Sequence, residues 1–102
     1  MPTRPLSSKA RRTARTLGEY LATFRRLQGL TAEQVADRAG ITRTTLRKLE
    51  HGEATVGLDV FLEVSRVLGV LDFVLAGMNP YETALGQSLA EQNLQLPKRV
   101  RR

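Results

Sequence analysis

AEQVADRAGITRTTLRKLEH, residues 32–51, places small side chains and a glycine where two short helices would cross. Thr31, just before it, begins a capping box that Gln34 completes, which marks a helix start. Val35, Ala36 and Ala39 give that helix its apolar side, and the small Ala36 lets a second backbone approach closely. Gly40 follows, where a tight turn calls for positive φ. Thr42 is a natural N-cap for the next helix, which stops near Gly52. Leu46 and Leu49, three apart, form the inner stripe of that helix, while Arg43, Thr44, Arg47 and Lys48 point elsewhere.

Such a pair of helices reads as a helix-turn-helix, and the basic, hydroxyl-rich outer stripe is what a reader of the DNA major groove needs. Arg43 and Thr44, at the start of the second helix, are candidates for base contact. Arginine can pair with guanine O6 and N7, and threonine can bond a base edge or touch a thymine methyl. Thr31, Gln34 and Thr42 sit at helix N-termini, where exposed N–H groups suit a phosphate, although each is first of all a capping residue. His51, the single histidine, follows the second helix close to where a DNA backbone would run.

The chain has 102 residues, enough for one small domain with tails. There is no cysteine, so disulfides and Cys-ligated zinc are excluded, and one histidine cannot complete a metal site. No apolar run is long enough to span a bilayer and the N-terminus lacks an apolar signal segment, so a cytoplasmic protein is the default expectation. The acids show no paired-carboxylate spacing and no serine has a nucleophile's setting. No catalytic residue, metal or cofactor is therefore expected.

The net charge of +6 is unevenly spread. Residues 1–16 carry +5 through Arg4, Lys9, Arg11, Arg12 and Arg15, residues 97–102 carry +4, and residues 17–96 carry −3. The two ends read as flexible tails that can also act as electrostatic arms for a polyanion.

Outside the central stretch the periodicity is helical, with no convincing strand. Thr16 and Glu19 suggest a capping box opening a first helix, with Leu17, Leu21, Phe24 and Leu27 on one face. Leu58, Phe61, Leu62, Val64 and Leu68 give a later apolar face, ended by Gly69. Residues 71–75 form a short, mostly buried segment, helix or strand, in which Phe73 and Leu75 are expected to complete the core. Asn79-Pro80 begins a further helix running to about Glu91. Its Tyr81, Leu85 and Leu89 are candidates for a dimer or partner contact. The expected organisation is a basic arm over 1–15, a domain over 16–78 and a C-terminal helix with basic tail over 79–102.

The stretch from Leu17 to Val70 resembles the helix-turn-helix domains of Cro and lambda-type repressors, the XRE family. The resemblance rests on LTAEQVADRAGITRTTLRKLEHG and the following FLEVSRVLGV. It implies an all-α bundle of five helices, here with an extra C-terminal helix, and homodimers on palindromic double-stranded operators. It implies that Lys48 faces bases and that Arg47 leans toward phosphate. It also implies a structural pair between Arg25, late in the first helix, and Glu50, at the end of the recognition helix. The C-terminal LGQSLAEQ and LPKRVRR look like the extension of HipB-like antitoxins, implying a HipA-like kinase toxin as partner. Two alternatives remain open: a stand-alone or phage-type repressor, and an adaptor using the fold to bind protein.

Overall fold

In the computed structural model, which describes residues 5–92, all regular structure is helical. The order is α1 (Ser8–Leu27), α2 (Ala32–Ala39), α3 (Arg43–Glu50), α4 (Leu58–Leu68), α5 (Leu71–Met78) and α6 (Ala84–Gln92). The fold is that of a lambda-repressor-like helical domain with an additional C-terminal helix. The chain divides into two compact units, one ending at Leu71 and the other beginning at Asp72.

The first unit is built on α1 to α4. The capping box at the start of α2 is complete: Thr31 Oγ1 accepts from Gln34 N–H at 3.1 Å, and Gln34 Oε1 accepts from Thr31 N–H at 2.9 Å. Gly40 ends α2 at φ +71°, a left-handed conformation that a side chain would strain. Thr42 caps α3, its hydroxyl accepting from Thr45 N–H at 3.1 Å. Leu21, Val35, Ala36, Ala39, Leu46, Leu49, Val64, Leu68 and Val70 form one core, with Phe24, Ile41, Val60 and Phe61 packed at its edge. Val35, Leu46 and Val64 are wholly buried, a transfer worth roughly 1.5–3 kcal/mol for each.

Residues 8–15 of the expected arm are helical and continuous with the first helix. The first helix begins at Ser8, not after Thr16, because Ser7 caps it by accepting from Ala10 N–H at 3.1 Å. SKARRTARTL holds no proline or glycine and is rich in good helix formers, so nothing interrupts the helix before Thr16. Thr16 lies inside it, its hydroxyl donating to the Arg12 carbonyl at 3.1 Å. Arg4 lies outside the described residues.

The inward face of α1 also differs. Gly18, Leu21 and Ala22 are buried, whereas Leu17 and Leu27 are exposed. Backbone proximity decides this. A Cβ on Gly18 would lie 2.5 Å from the Leu49 carbonyl oxygen, so α1 crosses the end of α3 with almost no space between them. Gly52 makes the reciprocal approach: at φ +75°, a Cβ there would lie 2.5 Å from the Arg15 Cα. In α4 the inward face is Val64, Ser65 and Leu68, with Phe61 half-buried, while Leu58 in the first turn and Leu62 are exposed.

Ser65 is wholly buried and its Oγ has no hydrogen-bond partner. A buried hydroxyl without a partner costs about 1–3 kcal/mol. Ser65→Ala is therefore expected to raise the thermal midpoint, by up to about 1 kcal/mol in stability. A lowered midpoint in a thermal melt would show that the hydroxyl is satisfied.

In the second unit the segment after Val70 is helix, not strand. None of its residues is buried. Phe73 and Leu75 are exposed, so the expectation that they complete the core fails; that core closes at Val70. The last helix starts at Ala84, later than Pro80. Asn79 Oδ1 accepts from Tyr81 N–H at 3.0 Å and turns the chain there. Thr83 caps α6 instead, accepting from Gly86 N–H at 3.1 Å. Gly86 packs directly on the Pro80 backbone, which a side chain would prevent. Tyr81, Leu85 and Leu89 are exposed.

Candidate nucleic-acid interface

The candidate interface is assembled around α3. Leu46 and Leu49 anchor it in the core, which fixes the opposite side outward. At about 100° per residue, Thr44 and His51 lie near the middle of that outer side, with Arg47 and Lys48 flanking them. Arg43, Thr44, Arg47, Lys48 and His51 are all exposed. Among the described residues no side-chain hydrogen bond or ion pair engages any of the five.

Arg25 and Glu50 fix the recognition helix against α1. Arg25 Nε donates to Glu50 Oε2 at 2.7 Å and Nη2 to Oε1 at 3.1 Å, a two-pronged pair, while Nη1 donates to the Leu30 carbonyl at 3.2 Å. Both side chains are largely buried, 14% and 11% exposed. The hydrogen bonds that Arg25 donates to Glu50 raise the Arg25 pKa above its ordinary value, against the opposing effect of burial and with help from the Glu50 charge. Arg25 therefore stays cationic over the whole working pH range.

A shallow depression of about 560 Å³ opens beside this pair, lined by Arg25, Arg26, Ala32, Arg43, Thr44, Arg47, Glu50 and His51. Its single acid is already committed to Arg25, so the remaining lining is electropositive. Arg43, Thr44, Arg47 and His51 are thus brought together, next to the N-terminal turn of α2. Lys48, Thr31, Gln34 and Thr42 lie outside this lining. The oxygens of Thr31, Gln34 and Thr42 accept the capping bonds, which leaves the Thr31 hydroxyl hydrogen, the Gln34 amide nitrogen and the exposed N–H groups of the first turns to meet an anion. Sequence reasoning misses Arg26. Its only local signal is its place beside Arg25, one step around the helix.

Among the described residues no group of His, Asp and Glu could hold a metal ion, and no helix is long and apolar enough to cross a membrane. The depression is open and polar, suited to an extended anionic partner rather than an enclosed small molecule.

The pattern that defines the helix-turn-helix family matches residues 21–73. A Bacillus subtilis protein, described as an SPbeta prophage-derived uncharacterized HTH-type transcriptional regulator, is 39% identical over 61 residues, covering 59% of this chain. The chain spans just over half the length of that relative, 56%. No solved structure matches significantly. With about half its length matched, and with the caps, turn, core and Arg25–Glu50 pair in one arrangement, the chain belongs to the helix-turn-helix family and is of the XRE type.

Proposed function

We propose that the protein is a sequence-specific double-stranded DNA-binding transcriptional repressor. The observation that carries this reading is the outer side of α3. Its Arg43, Thr44, Arg47, Lys48 and His51 are exposed and unengaged on a helix whose other side is locked in the core. Arg43, Thr44 and Lys48 contact base edges. Arg47, His51 and the N-terminal turns of α2 and α3, with Thr31, Gln34 and Thr42, meet phosphates. Arg25 and Glu50 hold the reading helix in place. Two copies bind an inverted repeat with half-sites about 34 Å apart, one turn of the duplex, and repression follows from occupying a promoter.

Selection from random duplexes tests the reading. An inverted repeat is the expected product, and an asymmetric single half-site would overturn the dimeric arrangement. On the selected site, Arg43→Ala and Lys48→Ala are each expected to lose about 1–3 kcal/mol of binding and to relax base preference at one position. Helical content should not change, since both side chains are exposed. A variant that weakens binding equally on every sequence is a phosphate contact instead.

A second reading concerns the C-terminal unit. Phe73, Leu75, Met78, Tyr81 and Leu85 are exposed there, an apolar display beyond what a small helical unit needs. Together with the HipB-like ending this supports an autorepressing antitoxin that captures a HipA-like kinase; residues 93–102 of that ending lie outside the described residues. The prophage origin of the relative supports a phage-type repressor without a toxin. Co-purification of the full chain with a neighbouring kinase-like gene product separates the two: capture supports the antitoxin, and no capture supports the stand-alone repressor.

A further inference from the structure

We propose that the N-terminal half of α1 is a rigid basic rail that carries the DNA backbone contact beyond the helix-turn-helix, through Arg11 and Arg15 in line with Arg26. This rests on the DNA-binding reading above and extends it to residues upstream of the matched family segment.

Three observations support the rail. First, α1 is one continuous helix from Ser8 to Leu27, so the position of its early residues follows from that of its late ones. At about 100° per residue, Arg11, Arg15 and Arg26 fall within about 60° of one another around the axis and span about 22 Å along it. Arg26 lines the depression beside Arg43, Arg47 and His51, which identifies the flank that the three share. Secondly, the turn after α3 meets that flank. Gly52, adjacent to His51, packs against the backbone of Ala14 and Arg15, so Arg15 emerges where the recognition helix ends. Thirdly, the charges are placed against the free helix's own preference. Lys9, Arg11, Arg12 and Arg15 lie toward the positive end of the helix dipole, with no acid in the first turn. All four are exposed, and the ion pairs among the described residues, Arg25–Glu50 and Glu63–Arg66, include none of them. A phosphate backbone relieves that repulsion.

Not every cation of the extension belongs to the rail. Lys9 and Arg12 line a separate shallow surface with Thr13, Thr16, Leu17 and Tyr20; Lys9 lies about 100° beyond Arg26 around the axis, while Arg12, about 40° from Arg26, sits at the edge between the two. One acid, Glu19, lies close to the rail between Arg15 and Arg26.

The two sides provide a matched test in the full chain. Arg11→Gln with Arg15→Gln removes two charges from the rail; Lys9→Gln with Arg12→Gln removes one from the far side and one from the rail's edge. Affinity for the selected duplex is measured across salt, with helical content checked by circular dichroism. The rail pair should flatten the slope of log affinity against log salt by up to about 1.8, or about 0.9 for each phosphate that is no longer neutralised. The outer pair should flatten the slope no more than about half as much, about 0.9 at most through Arg12, and base preference should persist in both. Equal flattening by the two pairs would overturn the proposal in favour of undirected charge. An unchanged slope in the rail pair would also overturn it, and would leave the row for an acidic protein partner. Wild-type protein that binds no duplex at all would instead overturn the DNA reading itself.

Discussion

Gly52→Ala is expected to destabilise the helix-turn-helix unit by about 2–5 kcal/mol. Two costs combine. A non-glycine residue at φ +75° loses roughly 1–2 kcal/mol to left-handed strain. The new Cβ would also lie 2.5 Å from the Arg15 Cα and 2.6 Å from its nitrogen, and overpacking against backbone costs about 1–3 kcal/mol or more. A small domain has on the order of 5–10 kcal/mol in total, so the loss is a large fraction. Gly40→Ala isolates the first cost: φ is +71°, yet nothing lies within 4 Å of a Cβ there. Urea midpoints of the two variants decide the matter. If Gly52→Ala is no worse than Gly40→Ala, α1 and the end of α3 do not approach each other as described. Gly18→Ala isolates the second cost, since Gly18 carries no positive φ but is hemmed in by the Leu49 and Glu50 carbonyls.

Arg25→Ala is expected to cost about 1–3 kcal/mol, between the values for exposed and for fully buried pairs, since this pair is part-buried. The carboxylate left behind sits at the C-terminal end of α3, where the helix dipole already disfavours negative charge, and the Leu30 carbonyl loses its donor as well. Glu50→Ala should cost less, because the longer arginine can turn its charge toward the adjacent open depression. The double variant should be less destabilised than the two single effects combined, since it leaves no orphaned charge. Denaturant titration of the four proteins closes this cycle. Additive effects would mean that the two side chains act separately. DNA affinity should fall with Arg25→Ala even under conditions where the protein stays folded, because α3 then loses its tie to α1.

The parts of this fold that are legible in the sequence are those encoded within a few residues. Thr31 with Gln34, Gly40, and Thr42 each specify a helix end by a bond or dihedral formed locally, so α2, the turn and α3 can be placed without a structure. The start of α1 is misleading because Thr16 and Glu19 match a capping box while sitting mid-helix; the pattern signals a start only where the chain before it is not helical. Gly18 and Gly52 are opaque for a different reason. Their significance lies in carbonyls and backbone more than thirty positions away, which no local window contains. Phe73 and Leu75 show the converse limit: apolar composition indicates a side chain fit for burial, not the surface that would bury it. Of the candidate interface, the α3 residues follow from Leu46 and Leu49, whereas Arg26 joins them only through the crossing of α1.

The unbroken course of α1 makes the spacing between Arg15 and Arg26 a question of phase. Deleting one residue from that interval would swing everything upstream by about 100° and shift it by about 1.5 Å, turning Arg11 and Arg15 away from the flank of Arg26. Inserting eleven residues would restore the orientation to within about 20°, yet carry the row about 16 Å further out. Point substitutions in the extension change its charge gradually, while changes of length alter its aim at once. On the rail reading, Arg11 and Arg15 are held to their charge and the number of residues between Arg15 and Arg26 to the pitch of the helix.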